Sequence, residues 1–294
     1  MAGRESQVVL GLDPDPMRLW PDAVAAAPSG GSPAERAAAA VTAHCRAVID
    51  AAGEACVAVK PQLACFERLG AAGWAALATV AEHARRAGLL VLADGKRGDI
   101  DVSAAAYGQA LVGTTPTPFG DASGLGADAF TANPYMGVDT LEVLVAAARA
   151  AGAGVFVLVR TSNPGAADVE DLELASGELL WSRVAGIVDA LGEAGPSSGL
   201  ADVGAVVGAT APEHIGRMRE LMPRAVFLLP GIGAQGGRVE ALAPAFAPGR
   251  AAGLVTASRS IVFAHEGSGG APATAARAEA ERLRAAAWSL RPDG

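Results

Sequence analysis

The stretch LVLADGKRGDI, residues 90–100, decides the fold class. Six apolar or small residues, Gly88 to Ala93, run straight into two carboxylates, Asp94 and Asp99, that bracket Lys96. A short apolar run of this kind reads as a buried parallel strand. Its terminal charges then project from the rim of a sheet or barrel and not into the core. Desolvating an unpaired ion costs roughly several kcal/mol, so three charges placed together at a strand end point to chemistry.

Outward from this segment, short apolar runs alternate with longer helical patterns. Strands are expected at Val8 to Leu12, Cys56 to Lys60, Leu89 to Asp94, Ala127 to Thr131, Val155 to Arg160, Val203 to Gly208, Ala225 to Pro230 and Gly253 to Thr256. Helices are expected at Pro33 to Ala52, Glu67 to Ala87, Ser103 to Val112, Val138 to Ala151, Gly177 to Gly195, Pro212 to Met222, Gly237 to Phe246 and Pro272 to Leu290. Pro33 and Pro212 suit first helical turns. The N-terminal MAGRESQVVLGLD enters a strand at once. Eight βα units, with no Gly-x-Gly-x-x-Gly after the first strand, favour an α/β single (β/α)8 TIM barrel over a doubly wound sheet. One domain over residues 1–294 is expected, with loop insertions at Pro21 to Ser32, Gly113 to Gly126, Asn163 to Leu172 and Gly195 to Asp202.

Composition narrows the function. The chain is 51% hydrophobic but only 4% aromatic, so a large core must be built from Ala, Val and Leu. A net charge of −8 and the lack of a basic stripe argue against nucleic acid as a partner, while leaving room for a phosphate-bearing small molecule. Cys45, Cys56 and Cys65 lack C-x-x-C spacing and read as reduced thiols. No signal-peptide pattern and no apolar run near membrane-spanning length is visible, so a cytoplasmic protein is expected, with no membrane partner.

A barrel places its catalytic residues at the C-terminal ends of several strands. Those ends carry Asp13, Lys60, the Asp94–Lys96–Asp99 group, Asn133 to Gly137, the Thr161-Ser162-Asn163 run, the Pro230 to Gly237 loop, and Ser258-Arg259-Ser260. Taken singly, each has an ordinary explanation. Asp13 before Pro14 can be a turn former, and Lys60 before Pro61 can reach solvent. Together, Lys60, Asp94, Lys96 and Asp99 alternate in sign, which a purely structural ion network explains poorly. The glycine-rich PGIGAQGG loop can bring backbone N–H groups to an anion, with the helix from Gly237 offering its positive end. Gln235 can donate to an oxygen and Arg259 can bind phosphate through its fork. His44, His83, His214 and His265 share no metal-ligand spacing, and the four tryptophans read as packing residues. Tyr135 and Met136 are left without a role. No metal or cofactor motif is visible.

Seven motifs in order carry a resemblance: GLDPDP, KPQLACFE, DGKRGDI, NPYMG, TSNPGA, LPGIGAQGG and SRSI, from residue 11 to residue 261. Together they resemble the orotidine 5′-phosphate decarboxylases, in their long, type 2 form. The resemblance implies conversion of orotidine 5′-monophosphate to UMP and carbon dioxide in pyrimidine biosynthesis, without a cofactor. It also implies roles. Asp13 and Lys60 would hold ribose hydroxyls, with Lys60 part of the charged array. Lys96, Asp94 and Asp99 would form the catalytic centre, and Ser162 would read the pyrimidine edge. Gln235 and Arg259 would bind the 5′-phosphate beside Pro230. Asp99 and Ser103 would reach the neighbouring subunit's site, which implies a homodimer with shared active sites. Ser103 stands where the family usually has Thr, keeping the hydroxyl and losing a methyl.

Decarboxylation would leave a carbanion at C6 with no electron sink, so the protein would have to stabilise it electrostatically. Lys96 is the cation expected to face that carbon and to deliver the proton. Asp94 and Asp99 would keep it protonated. A sugar-phosphate aldolase, epimerase or β-keto-acid decarboxylase on the same barrel, several of which use a metal, and a non-catalytic nucleotide-binding regulator are the competing readings.

Overall fold

In the computed structural model, residues 1–233 and 236–290 are described. Eight parallel strands form: β1 (Val8–Leu12), β2 (Ala58–Pro61), β3 (Leu90–Arg97), β4 (Ala129–Ala132), β5 (Gly154–Arg160), β6 (Val203–Val207), β7 (Phe227–Leu229) and β8 (Gly253–Ala257). They are neighbours in the closed order β1-β8-β7-β6-β5-β4-β3-β2, the strand order of a (β/α)8 barrel. The principal helices are α1 (Pro33–Ala52), α2 (Gly70–Arg86), α3 (Asp101–Leu111), α4 (Val138–Ala150), α5 (Leu180–Leu191), α6 (Ile215–Leu221) and α7 (Pro272–Ser289).

Two compact units divide the chain. The first comprises Met1–Gly95 and Ala257–Ala285. The second holds Lys96–Thr256 and the described residues from 286 onward. In the first unit, β1 is buried along its whole length and pairs with β2 in parallel, Val9 opposite Ala58 and Leu12 opposite Pro61. Its core joins Leu10, Val59, Phe66, Leu77 and Val80. In the second unit, β4, β5 and β6 pair in parallel, and Phe130, Leu141, Leu144 and Phe227 are fully buried. These strands are short continuous apolar runs because both their faces are covered.

Local signals explain the helix starts. Ser32 caps α1: its hydroxyl accepts the Glu35 N–H at 3.3 Å, and Glu35 Oε2 accepts the Ser32 N–H at 2.8 Å, with Pro33 in the first turn. The expected histidine role also resolves. His44 on α1 is buried, its Nδ1 accepts the Trp20 N–H at 3.1 Å, and burial lowers its pKa to about 4.

Several expectations need correction. No α-helix begins at Gly237; Val239–Phe246 is 3-10 helix with Pro244 inside it. Proline has no N–H to give to the carbonyl four residues back, so this segment cannot form a regular α-helix. A 3-10 turn, Ala2–Arg4, precedes β1, where the strand was expected at once. Pro212–His214 is likewise 3-10, and α6 begins only at Ile215. A short helix, Leu63–Glu67, stands apart from α2. The insertion expected at Gly113 to Gly126 contains a small antiparallel pair, Thr114–Thr115 with Ala122–Ser123. Among the described residues no helix is long and apolar enough to cross a membrane.

Candidate active site

In the first unit the charged residues sit at strand ends. Buried β1 delivers exposed Asp13 at its exit, and Pro14 turns the chain away. β2 ends in Lys60 and Pro61, with Lys60 buried. Asp94 is also buried, on β3, and Lys60 Nζ donates to its Oδ2. Gln62 Nε2 donates to the same oxygen at 3.3 Å, where Gln62 and Asp94 form a parallel bridge. Burial would pull the Lys60 pKa down, but the Asp94 and Asp13 carboxylates outweigh it and hold the ammonium above its ordinary value. Lys60 is thus a fixed cation tied to a fixed anion. Separating such a buried pair costs about 3–5 kcal/mol.

β3 runs three residues beyond its expected end, through Lys96 and Arg97. Lys96 is exposed and lies in the left-handed region, with φ 48°. A lysine there costs on the order of 1–3 kcal/mol of backbone energy. The conformation is supported by a bond from the Lys96 N–H to the buried Thr131 Oγ1 on β4, 2.8 Å long. Next door, the Asn133 N–H donates to the Arg97 carbonyl at 2.8 Å. Asp99 turns its Oδ1 onto the Ile100 N–H at 2.8 Å, just ahead of α3. Ser103, in the first turn of α3, is exposed.

Further along the second unit, Ser162 follows β5 and lines a cavity of ≈ 560 Å³ with Asn163, Thr210 and Glu213. Pro230 closes β7, and its carbonyl accepts the Ala209 N–H at 2.9 Å. Beyond it, the Gly237 N–H donates to the Gly231 carbonyl at 3.0 Å, and Gly231, Gly233 and Gly236 all have positive φ. Gln235 lies outside the described residues. In the first unit, Arg259 opens a short helix, exposed and in no ion pair among the described residues. An unpaired guanidinium of this kind suits an anionic ligand.

The expected residues therefore fall into a buried pair, Lys60 with Asp94, and a set of accessible groups at other strand ends. Two partners were not anticipated. Gln62 sits in KPQ two residues after Lys60, a signal the sequence offers. Thr131 reads in the sequence only as the last residue of a strand, and its role depends on the neighbouring strand. Among the described residues no group of three or more His, Cys, Asp or Glu side chains is placed to hold a metal ion.

Comparison with known proteins adds an independent finding. Residues 6–277 match the model of the "Orotidine 5′-phosphate decarboxylase / HUMPS family". The chain is 44% identical over 230 residues to the orotidine 5′-phosphate decarboxylase of Rhodopirellula baltica, covering 78% of this chain and 75% of the relative. With the enzyme of that name from Haloarcula marismortui, identity is 42% over 267 residues, 90% of this chain and 85% of the relative. The solved structure of Leishmania donovani OMP decarboxylase superposes with a TM-score of 0.68 at 31% identity, covering 98% of this chain and 96% of that one.

Proposed function

Because the chain belongs to the orotidine 5′-phosphate decarboxylase / HUMPS family, we propose that it is an orotidine 5′-phosphate decarboxylase, a carboxy-lyase of pyrimidine biosynthesis. The observation that carries this reading is the charged end of β3. Asp94 is buried against Lys60, and Lys96 stands two residues on, held in a left-handed conformation. In the reaction, the bond between C6 and the carboxylate breaks and its electron pair stays on C6. The Lys96 ammonium stabilises that charge and gives it a proton, then recovers one from solvent. Asp94 holds Lys60 in place and supports the charged form of Lys96, and Lys60 reaches the ribose hydroxyls together with Asp13.

Ser162 reads the pyrimidine edge, while Arg259 and Gln235, with Pro230 beside them, take the 5′-phosphate. Binding energy from that remote phosphate is available to order the loops around the reacting carbon. No cofactor is assigned a step. One barrel of residues 1–294 acts as a single domain. Asp99 and Ser103 serve the adjacent subunit's site in a homodimer. Supporting that assembly, Ile100, Val102, Tyr135, Met136 and Val138 are exposed on the two segments joined by the Asn133–Arg97 bond. An apolar patch of this kind is costly unless a partner covers it. A cytoplasmic location agrees with free, buried Cys45 and Cys56, whose thiol pKa values burial pushes well above the ordinary range.

The direct test is carbon dioxide release from orotidine 5′-monophosphate, in buffer with EDTA. Lys96→Ala should lose at least about a thousandfold in kcat while still binding UMP. Near-normal turnover in that variant would remove Lys96 as the proton donor. No release by the unaltered protein would reject the activity itself.

A further inference from the structure

The loop bearing Ser162 is gripped by two carboxylates to which the reaction gives no part. β5 ends in Arg160, whose Nε and Nη2 donate to Asp171 Oδ1 and Oδ2 at 3.0 and 2.9 Å. This is a bidentate pair of the strong, directional kind. The bonded carboxylate raises the Arg160 pKa, and the guanidinium lowers that of Asp171, so both stay charged. The next residue, Thr161, is held by Glu170. Its N–H donates to Glu170 Oε2 at 2.8 Å, and its hydroxyl lies 3.0 Å from Oε1. That hydroxyl has one proton, which it can share with Glu170 or with Asn163 Oδ1 at 2.7 Å.

The other side of Ser162 is fixed as well. Its carbonyl accepts the Thr210 hydroxyl at 3.0 Å. Gly208 packs against its backbone so closely that a Cβ there would lie 2.8 Å from the Ser162 Cα. Glu170 is itself rooted, since the backbone N–H of Trp181 at the start of α5 donates to its carbonyl at 2.9 Å and Trp181 is buried. By contrast Asn163, Pro164 and Gly165, immediately beyond, are exposed. A hydroxyl on such a loop discriminates a base edge only if it is held within about 0.5 Å of its working position.

We propose that Glu170, with the Arg160–Asp171 pair, is a positioning device for Ser162 and thereby sets recognition of the pyrimidine. The proposal rests on the reading that Ser162 contacts the base. Neither carboxylate touches the ligand; Glu170 acts through the Thr161 N–H, and Asp171 through Arg160, whose Nη1 donates to the Thr161 carbonyl at 3.3 Å.

The test is calorimetric titration of UMP and of ribose 5-phosphate, which lacks the base, into Glu170→Ala, Glu170→Gln, Ser162→Ala and the Ser162→Ala/Glu170→Ala double variant. Glu170→Ala should bind UMP about tenfold more weakly and ribose 5-phosphate unchanged, and Glu170→Gln, which keeps an acceptor for the Thr161 N–H, should restore most of the loss. In the Ser162→Ala background the Glu170→Ala change should cost less than about twofold, because the group it positions is gone. Unchanged UMP affinity in Glu170→Ala, alongside a loss in Ser162→Ala, would overturn the positioning role while sparing Ser162. Equal losses for both ligands would overturn it too. No loss in Ser162→Ala would sink the base contact and the device with it.

Discussion

Lys96 stands in a backbone conformation that lysine adopts rarely, φ 48°, and a threonine hydroxyl on the next strand accepts its N–H. Strain of this kind persists only where surrounding structure over-determines it, which is consistent with a side chain whose direction matters. Its position in the sequence was legible: an apolar run ending in Asp-Gly-Lys. Its dihedral angle was not, because that depends on Thr131, 35 residues away. The Lys60–Asp94 pair repeats the lesson. Both residues were expected in one charged array, but their mutual neutralisation across 34 residues of chain appears only once β2 and β3 are neighbours. His44 supplies a prediction at this scale. Its folded pKa, about 4, lies below the ordinary 6.5, so the unfolded chain takes up the proton first as pH falls. Its contribution is therefore complete above pH 6.5 and is lost as pH drops from 6.5 toward about 4. His44→Asn, which keeps an acceptor for the Trp20 N–H, should show a flatter fall in melting temperature over that window. Parallel melting curves for the two proteins would reject this account.

At the scale of elements, the strand exits carry the charged residues and the helix ends show which local signals can be trusted. The Ser32–Pro33–Glu35 start of α1 was readable because a capping box is made within four residues. The segment from Gly237 was misread because its apolar spacing resembles a helix while Pro244 denies it the hydrogen bonds. The missing α-helix also removes the helix end expected beside the glycine loop. A different arginine holds these elements in place. Arg219 on α6 is buried with no carboxylate partner among the described residues; its guanidinium donates to the carbonyls of Met222, Ala225, Ala245 and Ala252 and stacks 3.7 Å over Phe227. Burial lowers its pKa to about 10. Arg219→Met should lose about 3 kcal/mol in urea denaturation, since buried carbonyls are left without donors. Arg219→Lys should recover only part of that, because an ammonium cannot span four carbonyls spread over residues 222 to 252. A loss below about 1 kcal/mol for Arg219→Met would show that those carbonyls find other partners.

For the whole molecule, the proposed shared site makes a quantitative prediction. Lys96→Ala and Asp99→Ala homodimers should each be nearly inactive, but mixing and re-associating them should restore about a quarter of normal activity, because each mixed dimer regains one intact site. Mixtures that stay inactive, in a preparation shown by light scattering to be dimeric and exchanged, would place Asp99 in its own subunit's site. Sequence alone determined the eight-fold βα rhythm, the closed-barrel class and the strand-end positions of the charged residues, since periodicity and breakers act over a few residues. The tertiary structure decided which charges neutralise one another, which loop is clamped and where a lysine is strained. Those properties depend on contacts between segments far apart in the chain, which no local pattern encodes.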